Sequence, residues 1–350
     1  MVDASLHKKI VDLFSSIQDV LVISDNSSLK DVNQLLRKYR DNIIQKRFSL
    51  IKENSNGEKY HQSIFHFLQY FISVSKISFI LPFDSTLFFG SILGRKNHLL
   101  QLSTPIFLSN EQLLQSLKNL FSTNEFKSLF TMIQNRSILV RDIPFNMKNY
   151  AKQNKTVFPF TIQQVKEIHY YTYDIQKTIS LQGQNFSNIR WHLNKFNNGN
   201  HTIKIIENIE HETPLLHLIG AWRKHAIDQK GFSFTDMRSD KLCAKLISNT
   251  FEESLYYRIL SIDGKVASFH YGYPIGFSND SSLFAHTVGI TDPYIPHLSE
   301  YAQMDFWNYL WDNGFLFVND GPSWRNSLET YKKKYRPIKK TKQYWTTISL

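Results

Sequence analysis

Apolar residues recur along the chain with two different periods. Segments with an apolar residue at every third or fourth position predict helices, and segments that alternate apolar and polar residues predict strands. The predicted helices are Leu6–Val22, Leu29–Ile44, His61–Ser73, Asn110–Leu120, Glu125–Gln134, Leu181–Phe196, Thr213–Lys230, Asp240–Glu253 and His297–Asn313. The predicted strands are Ile77–Pro82, a hairpin over Phe88–Leu100 around Gly94–Asn97, Ser137–Val140, Glu167–Asp174, His201–Ile209, Leu255–Ser261, Lys265–Tyr273, Leu283–Gly289, Phe315–Val318 and Lys342–Ser349.

The order of these elements predicts an α+β protein with two similar halves. In each half, strands that form hairpins are interspersed with helices, and the plan starts again after about Tyr150. The dipeptide Asp263-Gly264 is a strong signal for a two-residue hairpin turn. We therefore predict an N-terminal domain over residues 1–150 and a C-terminal domain over residues 151–350. Each would contain a mixed, mostly antiparallel sheet flanked by helices.

The end of one predicted strand supplies the first candidates for catalysis. The strand Phe315–Val318 runs into the sequence Asn319-Asp320-Gly321-Pro322, and binding crevices form where strands end at the edge of a sheet. In a functional interpretation, Asp320 anchors an amine or acts as a general base, and Asn319 fixes its orientation. The alternative is a turn in which the two side chains bind their own backbone.

A cationic segment follows this strand. Lys332, Lys334 and Arg336 are interleaved with Tyr331 and Tyr335, and such a segment is suited to binding phosphate. Lys332 and Lys334 share a face on a strand but diverge on a helix. With Arg336, the two lysines would hold a phosphate or neutralise a tetrahedral oxyanion. The alternative is a solvated basic end of a helix.

A second set of cationic and polar residues lies in the predicted helix Leu181–Phe196. Arg190 and Asn194 are four residues apart, with Lys195 next in the sequence. On one face of a helix, the Arg–Asn pair would present a fork to a phosphate or carboxylate. Trp191 and Phe196 indicate that part of this helix is buried. The alternative is an arginine on the surface.

His270 is the candidate for proton transfer in the predicted sheet. It alternates with Phe269 and Tyr271 on a central strand, and His286 on the adjacent strand is a second candidate. A lone histidine on a strand is more often structural. The 13 histidines contain neither an HExxH motif nor a His-Asp-His cluster, so no metal site is predicted. Glycine motifs for nucleotide binding are also missing from the sequence, and no bound cofactor is predicted.

Charge favours an anionic partner. The chain has 41 Lys and Arg against 30 Asp and Glu, a formal charge of +11, which favours nucleic acid, a phosphorylated ligand or an acidic membrane surface. The alternative is a basic surface without specific purpose. The single cysteine, Cys243, excludes a disulfide within the chain. No apolar run reaches the roughly 18–20 residues of a membrane span, and the first residues lack a signal-peptide core. A soluble, cytoplasmic protein is expected.

Three blocks of the second half resemble the C-terminal catalytic domain of phosphatidylglycerol lysyltransferases and their soluble relatives. Leu181–Phe196 is similar to the family's pattern of Leu, Gly, an aromatic residue, Arg and Asn-x-Phe. Ile262–Pro274 is similar to the strand pair that follows an Asp-Gly turn. Gly314–Gly321 and Tyr331–Pro337 are similar to a Gly-aromatic-Asn-x-Gly strand and an aromatic-Lys-x-Lys-aromatic-x-Pro close. The first half is similar only in its order of elements.

The resemblance implies two fused acyltransferase-like (GNAT-type) domains. It implies transfer of an aminoacyl group from aminoacyl-tRNA to the amine or hydroxyl of a small molecule, peptide or lipid head group, without metal or organic cofactor. The membrane-bound members carry a large membrane-spanning segment that this chain lacks, which favours a soluble acceptor or peripheral contact with an anionic membrane. In such a domain two central strands splay apart and expose backbone N–H groups to the carbonyl. Here those strands would be Leu283–Gly289 and Phe315–Val318.

Two other functions are compatible with the same fold. An acyl-CoA-dependent N-acyltransferase would use CoA, whose pyrophosphate needs a glycine-rich loop at a helix N-terminus. The corresponding segment, Thr291–Pro296, has no glycine and contains two prolines that cannot donate a hydrogen bond. A non-catalytic binder of tRNA or anionic lipids would retain only the scaffold.

Overall fold

The computed structural model describes most of the second half of the chain and about half of the first. The described residues are 4–17, 19–24, 77–84, 86–93, 99–107, 109–134, 137–153, 158–230, 256–275, 282–323 and 326–349. The predicted helices Leu29–Ile44, His61–Ser73 and Asp240–Glu253, the turn Gly94–Asn97 and Cys243 lie outside the described residues.

Tertiary contacts divide the chain into two units at a different position from the predicted domains. The first unit comprises Met1–Ile168 with Lys342–Leu350, and the second comprises His169–Thr341. The predicted boundary lay at residue 150, because the order of elements along a sequence does not show which sheet a strand joins. Strand partners decide to which unit each part of the long strand around residue 168 and the last strand belong.

The first unit contains a mixed sheet and helices. Its strands follow the order β1-β2-β3-β4-β5-β12, with the beginning of β6 after β12. All neighbouring pairs from β1 to β5 are antiparallel except β4 and β5, which are parallel. The elements are α1 (Ala4–Ser15), β1 (Leu21–Ser24), β2 (Ile77–Phe83), β3 (Thr86–Leu93), β4 (Leu99–Ile106), α2 (Asn110–Ser122), α3 (Asn124–Ile133), β5 (Ser137–Ile143), α4 (Met147–Gln153), β6 (Thr161–Asp174) and β12 (Lys339–Ser349).

The second unit repeats this plan. Its strands follow the order β6-β11-β10-β9-β8-β7, and β10 and β11 form its parallel pair. The last residues of β6 pair with β11 in an antiparallel manner. The elements are α5 (Ile175–Ile179), a 3₁₀ turn (Gln184–Phe186), α6 (Ser187–Asn197), β7 (Ile203–Ile206), α7 (Thr213–Lys230), β8 (Tyr256–Ile262), β9 (Lys265–Pro274), β10 (Leu283–Thr291), α8 (Leu298–Asp312), β11 (Phe317–Ser323) and α9 (Asn326–Lys333).

Both units therefore have the predicted class of fold, a mixed and mostly antiparallel sheet flanked by helices. In each unit, three consecutive antiparallel strands are followed by helical structure and a strand parallel to the third. The strand on the far side of that parallel strand comes from elsewhere in the sequence. It is β12 in the first unit and the end of β6 in the second.

Local sequence explains the β8–β9 hairpin that organises the second unit. Asp263 and Gly264 have φ angles of 51° and 81°, the left-handed conformations that a tight hairpin turn requires at both central positions. Asp263 also accepts a hydrogen bond from the Thr202 backbone N–H, at 2.9 Å. The turn predicted from this dipeptide is confirmed.

Several predicted elements differ from the structure in extent. The helix predicted over Leu6–Val22 ends at Ser15, and its last predicted residues belong to the strand Leu21–Ser24. The strand predicted to begin at Glu167 begins at Thr161, and the helix predicted to begin at Leu181 begins at Ser187 after a 3₁₀ turn. The delay of the helix follows from Leu181 and Gly183, whose φ angles of 52° and 84° lie in the left-handed region and cannot continue a right-handed helix.

The strand predicted to end at Val318 instead continues to Ser323. The sequence Asn319-Asp320-Gly321-Pro322 is an irregularity inside β11, because the register with β6 shifts between Asn319 and Pro322. The Asn319 side chain accepts a hydrogen bond from the Gly321 N–H at 3.1 Å, and Gly321 has a φ of 66°. Turn-forming residues therefore build a bulge here, a position in a strand where proline is tolerated.

Replacement of Gly272 by alanine should destabilise the second unit. An added Cβ would lie 2.0 Å from the Ala285 backbone oxygen on the neighbouring strand. Because the backbone cannot move aside without disrupting the sheet, we expect the free energy of unfolding, measured with urea, to fall by about 1–3 kcal/mol or more. Gly220→Ala in α7 is the matched control, since nothing lies within 4 Å of its added Cβ. In the control, the free energy of unfolding should rise by about 0.5–1 kcal/mol. Equal effects of the two changes would contradict the pairing of β9 with β10.

Candidate functional site

The parallel strands β10 and β11 pair over a short distance and then part. Their register runs from Leu283 opposite Phe317 to Ala285 opposite Asn319. Within the described residues, no further positions are paired, although β10 continues to Thr291 and β11 to Ser323. The structure thus contains the splay expected between these strands, with its mouth just after Ala285 and Asn319.

A bulge in β10 lies at this mouth. The register with β9 shifts between His286 and Val288, so Thr287 is the inserted residue. Among the described residues, Thr287 has no partner in the register of either neighbouring strand. Such a position presents backbone groups that the sheet does not use, and backbone N–H groups of this kind are suited to stabilising an oxyanion.

Asp320 bridges the parting strands. Its Oδ1 lies 3.0 Å from Nδ1 of His286 on β10, and its Oδ2 lies 3.8 Å from Nζ of Lys332 on α9. The Asp320 side chain is 12% exposed, whereas those of His286 and Lys332 are 2% and 5% exposed. Within this trio, the aspartate is therefore the member with the most surface open to a ligand.

A second histidine extends the contact. Nδ1 of His270 lies 3.0 Å from Nε2 of His286, and the two rings stack with their centroids 5.0 Å apart. An ionised carboxylate only accepts, so the contact with Asp320 places a proton on Nδ1 of His286. Gln303 from α8 also lies 3.2 Å from that nitrogen. The arrangement is a buried chain of polar groups that leads from His270 through His286 to Asp320.

A glycine makes room for the two imidazoles. A Cβ at Gly289 would lie 2.8 Å from Cε1 of His270 and 3.3 Å from Nε2 of His286. Any larger residue would therefore displace the stacked pair. Within the described residues, Nε2 of His270 has no hydrogen-bond partner, so this end of the chain of polar groups retains an unused donor or acceptor.

Burial and nearby charges set the protonation of these polar side chains. Burial alone would raise the pKa of Asp320, but the charge of Lys332 and the hydrogen bond from His286 outweigh it, so the pKa lies below its ordinary value. Burial lowers the pKa of Lys332, partly offset by the charge of Asp320. Burial, with the neighbouring His286, holds the pKa of His270 well below its ordinary value. At neutral pH, Asp320 is thus an anion and His270 a neutral imidazole.

The ammonium group of Lys332 is hydrogen-bonded within the protein. Its ammonium donates to the backbone carbonyls of Asp320, Gly321 and Pro322, the last two at 2.8 and 3.4 Å. These contacts engage all three of its N–H donors. Lys332 therefore fixes the bulge of β11 and the carboxylate beside it.

Lys334 belongs to a second, more open cluster. Its ammonium pairs with the carboxylate of Glu300 in the first turn of α8 and lies 4.0 Å from the centroid of the Tyr331 ring. Burial would raise the pKa of Glu300, but Lys334, Ser299 and His192 lower it below its ordinary value. Lys332 and Lys334 thus contact different groups. This agrees with the helical conformation of Lys332, because side chains two residues apart diverge on a helix.

Arg190 and Arg336 both bind backbone carbonyls of the segment that precedes α6. Arg190 donates to the carbonyls of Leu181 and Gly183, the latter at 2.8 Å, and Arg336 donates to the carbonyl of Asn185 at 3.2 Å. They therefore fix the loop that leads into α6, whose backbone takes left-handed conformations. Arg336 remains exposed.

The rest of the α6 candidates lie at the surface. Asn194 and Lys195 are exposed. The buried side of the helix is formed by Ile189 and Phe196. Trp191, which the sequence suggested as a sign of burial, is 50% exposed, because it lies on a different face from those two residues.

Five of the nine predicted residues lie in two groups, and the other four, Arg190, Asn194, Lys195 and Arg336, belong to neither. Asp320, Asn319, His270 and Lys332 meet at the mouth of the splay, while Lys334 lies with Glu300. Sequence reasoning missed Glu300, Gln303 and Thr287, since neither their residue type nor their spacing in α8 and β10 indicates that they face these groups. His286, a secondary candidate, proves to be the link between His270 and Asp320.

Two further kinds of feature are absent from the part of the chain that the structure describes. No group of three or more His, Cys, Asp or Glu side chains is arranged to hold a metal ion. No helix there is long and apolar enough to cross a membrane.

Comparison with known proteins shows likeness in structure. No protein-family model and no curated protein matches the sequence. A conserved protein of unknown function from Bacteroides thetaiotaomicron aligns with a TM-score of 0.63 at 17% identity, over 94% of this chain and 100% of that one. FemX aligns with a TM-score of 0.56 at 11% identity, over 87% and 96%. L-PGS from Bacillus licheniformis aligns with a TM-score of 0.51 at 13% identity, over 87% and 91%.

These likenesses confirm the expected fold. A tandem GNAT protein from the clavulanic acid biosynthesis pathway also aligns, with a TM-score of 0.53 at 6% identity, over 94% of this chain and 97% of that one. The chain thus has a tandem GNAT-type fold, and the resemblance inferred from three sequence blocks holds at the level of the fold. At these identities the likeness extends to the fold alone.

Replacing Asp320 by asparagine should destabilise the protein. Lys332 would keep a buried charge without its counterion, which we expect to cost about 3–5 kcal/mol at pH 7 in urea unfolding. The double change Asp320→Asn with Lys332→Met removes both charges and should recover part of the loss. A double variant as unstable as the single one would contradict the ion pair.

The loss should also depend on pH. The pKa of folded Asp320 lies below that of the unfolded chain, about 3.9. Its contribution is therefore fully present above that pH and lost as the pH falls through the folded value. The difference in unfolding free energy between wild type and Asp320→Asn should be constant from pH 7 to 5 and shrink below about pH 4. A constant difference down to pH 2 would show that folding does not lower the pKa of Asp320 and would contradict its ion pair with Lys332.

Proposed function

We propose that the chain is an aminoacyltransferase that takes its aminoacyl group from aminoacyl-tRNA. The observation that carries this proposal is the mouth of the β10–β11 splay, where Thr287, unpaired in the register of both neighbouring strands, directly follows His286, which contacts the Asp320 carboxylate. The fold shared with FemX and L-PGS supports acyl transfer in general. The three sequence blocks that resemble phosphatidylglycerol lysyltransferases support aminoacyl-tRNA as the donor.

The reaction exchanges one bond to the acyl carbon for another. A nitrogen or oxygen of the acceptor attacks the carbonyl carbon of the aminoacyl ester, and the bond from that carbon to the ribose oxygen of the tRNA breaks. The proton released by the acceptor ends on the ribose oxygen. The protein must therefore orient two substrates, stabilise a transient oxyanion and guide one proton.

The groups at the splay match these requirements. Backbone N–H groups near Thr287 would hold the ester carbonyl. Asp320 would anchor an ammonium group, since its lowered pKa makes it a durable anion and a weak base. His270 is a neutral imidazole linked to Asp320 through His286 and has a free lone pair to accept the proton, although its lowered pKa makes it a weak base as well. Asn319 fixes the bulge that aims Asp320.

Lys334 would stabilise negative charge. It is held by Glu300 and Tyr331 but keeps 22% of its side chain exposed. A cation in this setting would bind a phosphate of the tRNA end or the oxyanion. The acceptor would be the amine or hydroxyl of a small molecule, a peptide or a lipid head group, the last requiring peripheral contact with an anionic membrane.

The entry to α8 disfavours CoA as the donor. In the loop before this helix, Pro293 and Pro296 lack N–H groups, and the residue that caps the helix, His297, makes no side-chain cap. Glu300 places a carboxylate in the first turn. A pyrophosphate at this helix N-terminus would therefore meet few donors and an acidic residue.

Transfer of a labelled amino acid from aminoacyl-tRNA tests the proposal. With a panel of amine and hydroxyl acceptors, Lys334→Ala should lower transfer roughly 100- to 1,000-fold, and Asp320→Asn should lower it as well. Lys333→Ala is the matched control, since Lys333 is 57% exposed and pairs with Glu329 on the same helix. The control should retain wild-type activity. The double variant Lys334→Ala with Glu300→Gln guards against a folding defect, because it leaves no unpaired carboxylate.

Three outcomes would reject the proposal. Transfer that none of these changes affects would remove the site from the reaction. Transfer from acyl-CoA, with a thermal shift by CoA and none by aminoacyl-tRNA, would make the protein an acyl-CoA-dependent N-acyltransferase. Binding of tRNA without transfer to any acceptor would leave a non-catalytic binder.

A further inference from the structure

An exposed indole marks a surface outside the splay. Trp191 is 50% exposed on α6. The ring packs against two imidazoles, with its centroid 4.9 Å from that of His192 and 5.1 Å from that of His297. Both contacts are nearly perpendicular, at 83° and 81°, so neither imidazole is stacked on the indole.

The two imidazoles are themselves fixed. The Nδ1 atoms of His192 and His297 lie 2.8 Å apart, so that one donates and the other accepts. His297 directly precedes α8 and has a φ of 65°. His192 also lies 3.9 Å from Glu300, which pairs with Lys334. The indole is therefore supported by groups belonging to α6, α8 and the end of α9, and it is preorganised for stacking.

The charge around the indole is positive. Nζ of Lys195 lies 5.9 Å from the Trp191 ring. Arg190, the preceding residue in the sequence, adds a second cation, and the nearby carboxylate of Glu300 is neutralised by Lys334. A rigid aromatic surface flanked by cations suits a planar base attached to a phosphate chain.

We propose that Trp191, supported by the His192–His297 pair and flanked by Lys195, stacks a base of the unpaired 3′ end of an RNA. This inference rests on the proposed function, because an aminoacyl-tRNA presents its ester on such an end. Stacking on an aromatic side chain tolerates any base, and the cations track the backbone. The surface would thus position the end of the donor whose ester enters the splay.

The surroundings favour RNA over a lipid bilayer. An indole beside lysines also suits a membrane interface, but a bilayer requires a wider apolar face. Among the described residues of α6, Trp191 is the large apolar residue that is exposed, and Asn188, Asn194 and Lys195 share the surface with it.

Two RNA hairpins distinguish stacking from general attraction. One carries a four-nucleotide 3′ overhang and the other has a blunt end, and neither carries an amino acid. By fluorescence anisotropy, Trp191→Ala should weaken binding of the overhang hairpin about 5- to 100-fold and leave the blunt hairpin unchanged. Trp191→Phe should recover most of the loss. Ile205→Ala, a change at another exposed apolar residue that is 49% exposed on β7, should have no effect.

Salt dependence separates the indole from the lysine. Stacking releases no counterions, so Trp191→Ala should keep the slope of log affinity against log salt concentration. Lys195→Ala should reduce the magnitude of that slope by about 0.7–0.9, the value for one phosphate contact. An unchanged slope for Lys195→Ala would remove that lysine from the binding surface.

Other results would overturn the proposal. Equal losses on both hairpins would show that Trp191 does not bind the unpaired end. If Trp191→Ala lost binding to vesicles of phosphatidylglycerol and phosphatidylcholine but kept RNA binding, the indole would belong to a membrane-binding surface. If Trp191→Ala transferred the aminoacyl group with an unchanged KM for aminoacyl-tRNA, the role of Trp191 in RNA binding would be rejected, while the proposed aminoacyltransferase activity would stand.

If the protein bound the overhang hairpin through Trp191 but transferred no aminoacyl group, the proposed activity would be rejected, while the RNA-binding role of Trp191 would stand.

Discussion

The contact of Asp320 with His286 and Lys332 is the interaction on which the rest of the second unit's site depends. A carboxylate and an ammonium removed from water are costly unless each is paired and hydrogen-bonded. Here Lys332 binds three carbonyls of the β11 bulge, and Asp320 reaches across to β10. The same contacts that satisfy these charges therefore hold the two strands apart in a fixed geometry. The gap and its charge are a single structural feature.

Much of the fold could be predicted from the sequence because it depends on short-range rules. The Asp263-Gly264 dipeptide sets its hairpin through the left-handed conformations of its own two residues. The strand β11 could not be delimited in the same way. Its Asn-Asp-Gly-Pro sequence has the composition of a turn, and the flanking strands decide that it forms a bulge. Tertiary pairing here overrides a local preference.

The candidate site was predictable in its residue types and less so in its partners. Asp320 and His270 were identified from their positions at the end or middle of strands, yet the link between them passes through His286, and only the register of β9 and β10 shows that link. Trp191 shows the limit of reasoning by residue type. Apolar character predicted burial, while the helical phase set by Ile189 and Phe196 turns the indole outward.

The first unit includes Lys342–Leu350, which has a consequence for how the protein is made. A ribosome releases a chain from its N-terminus, so residues up to Ile168 emerge long before β12 can pair with β5. The second unit, His169–Thr341, is complete before those last residues appear. Domains generally fold as units during synthesis, starting with the N-terminal one. In this chain the order of completion is reversed, and the nascent first unit exposes one side of β5 until β12 has been synthesised.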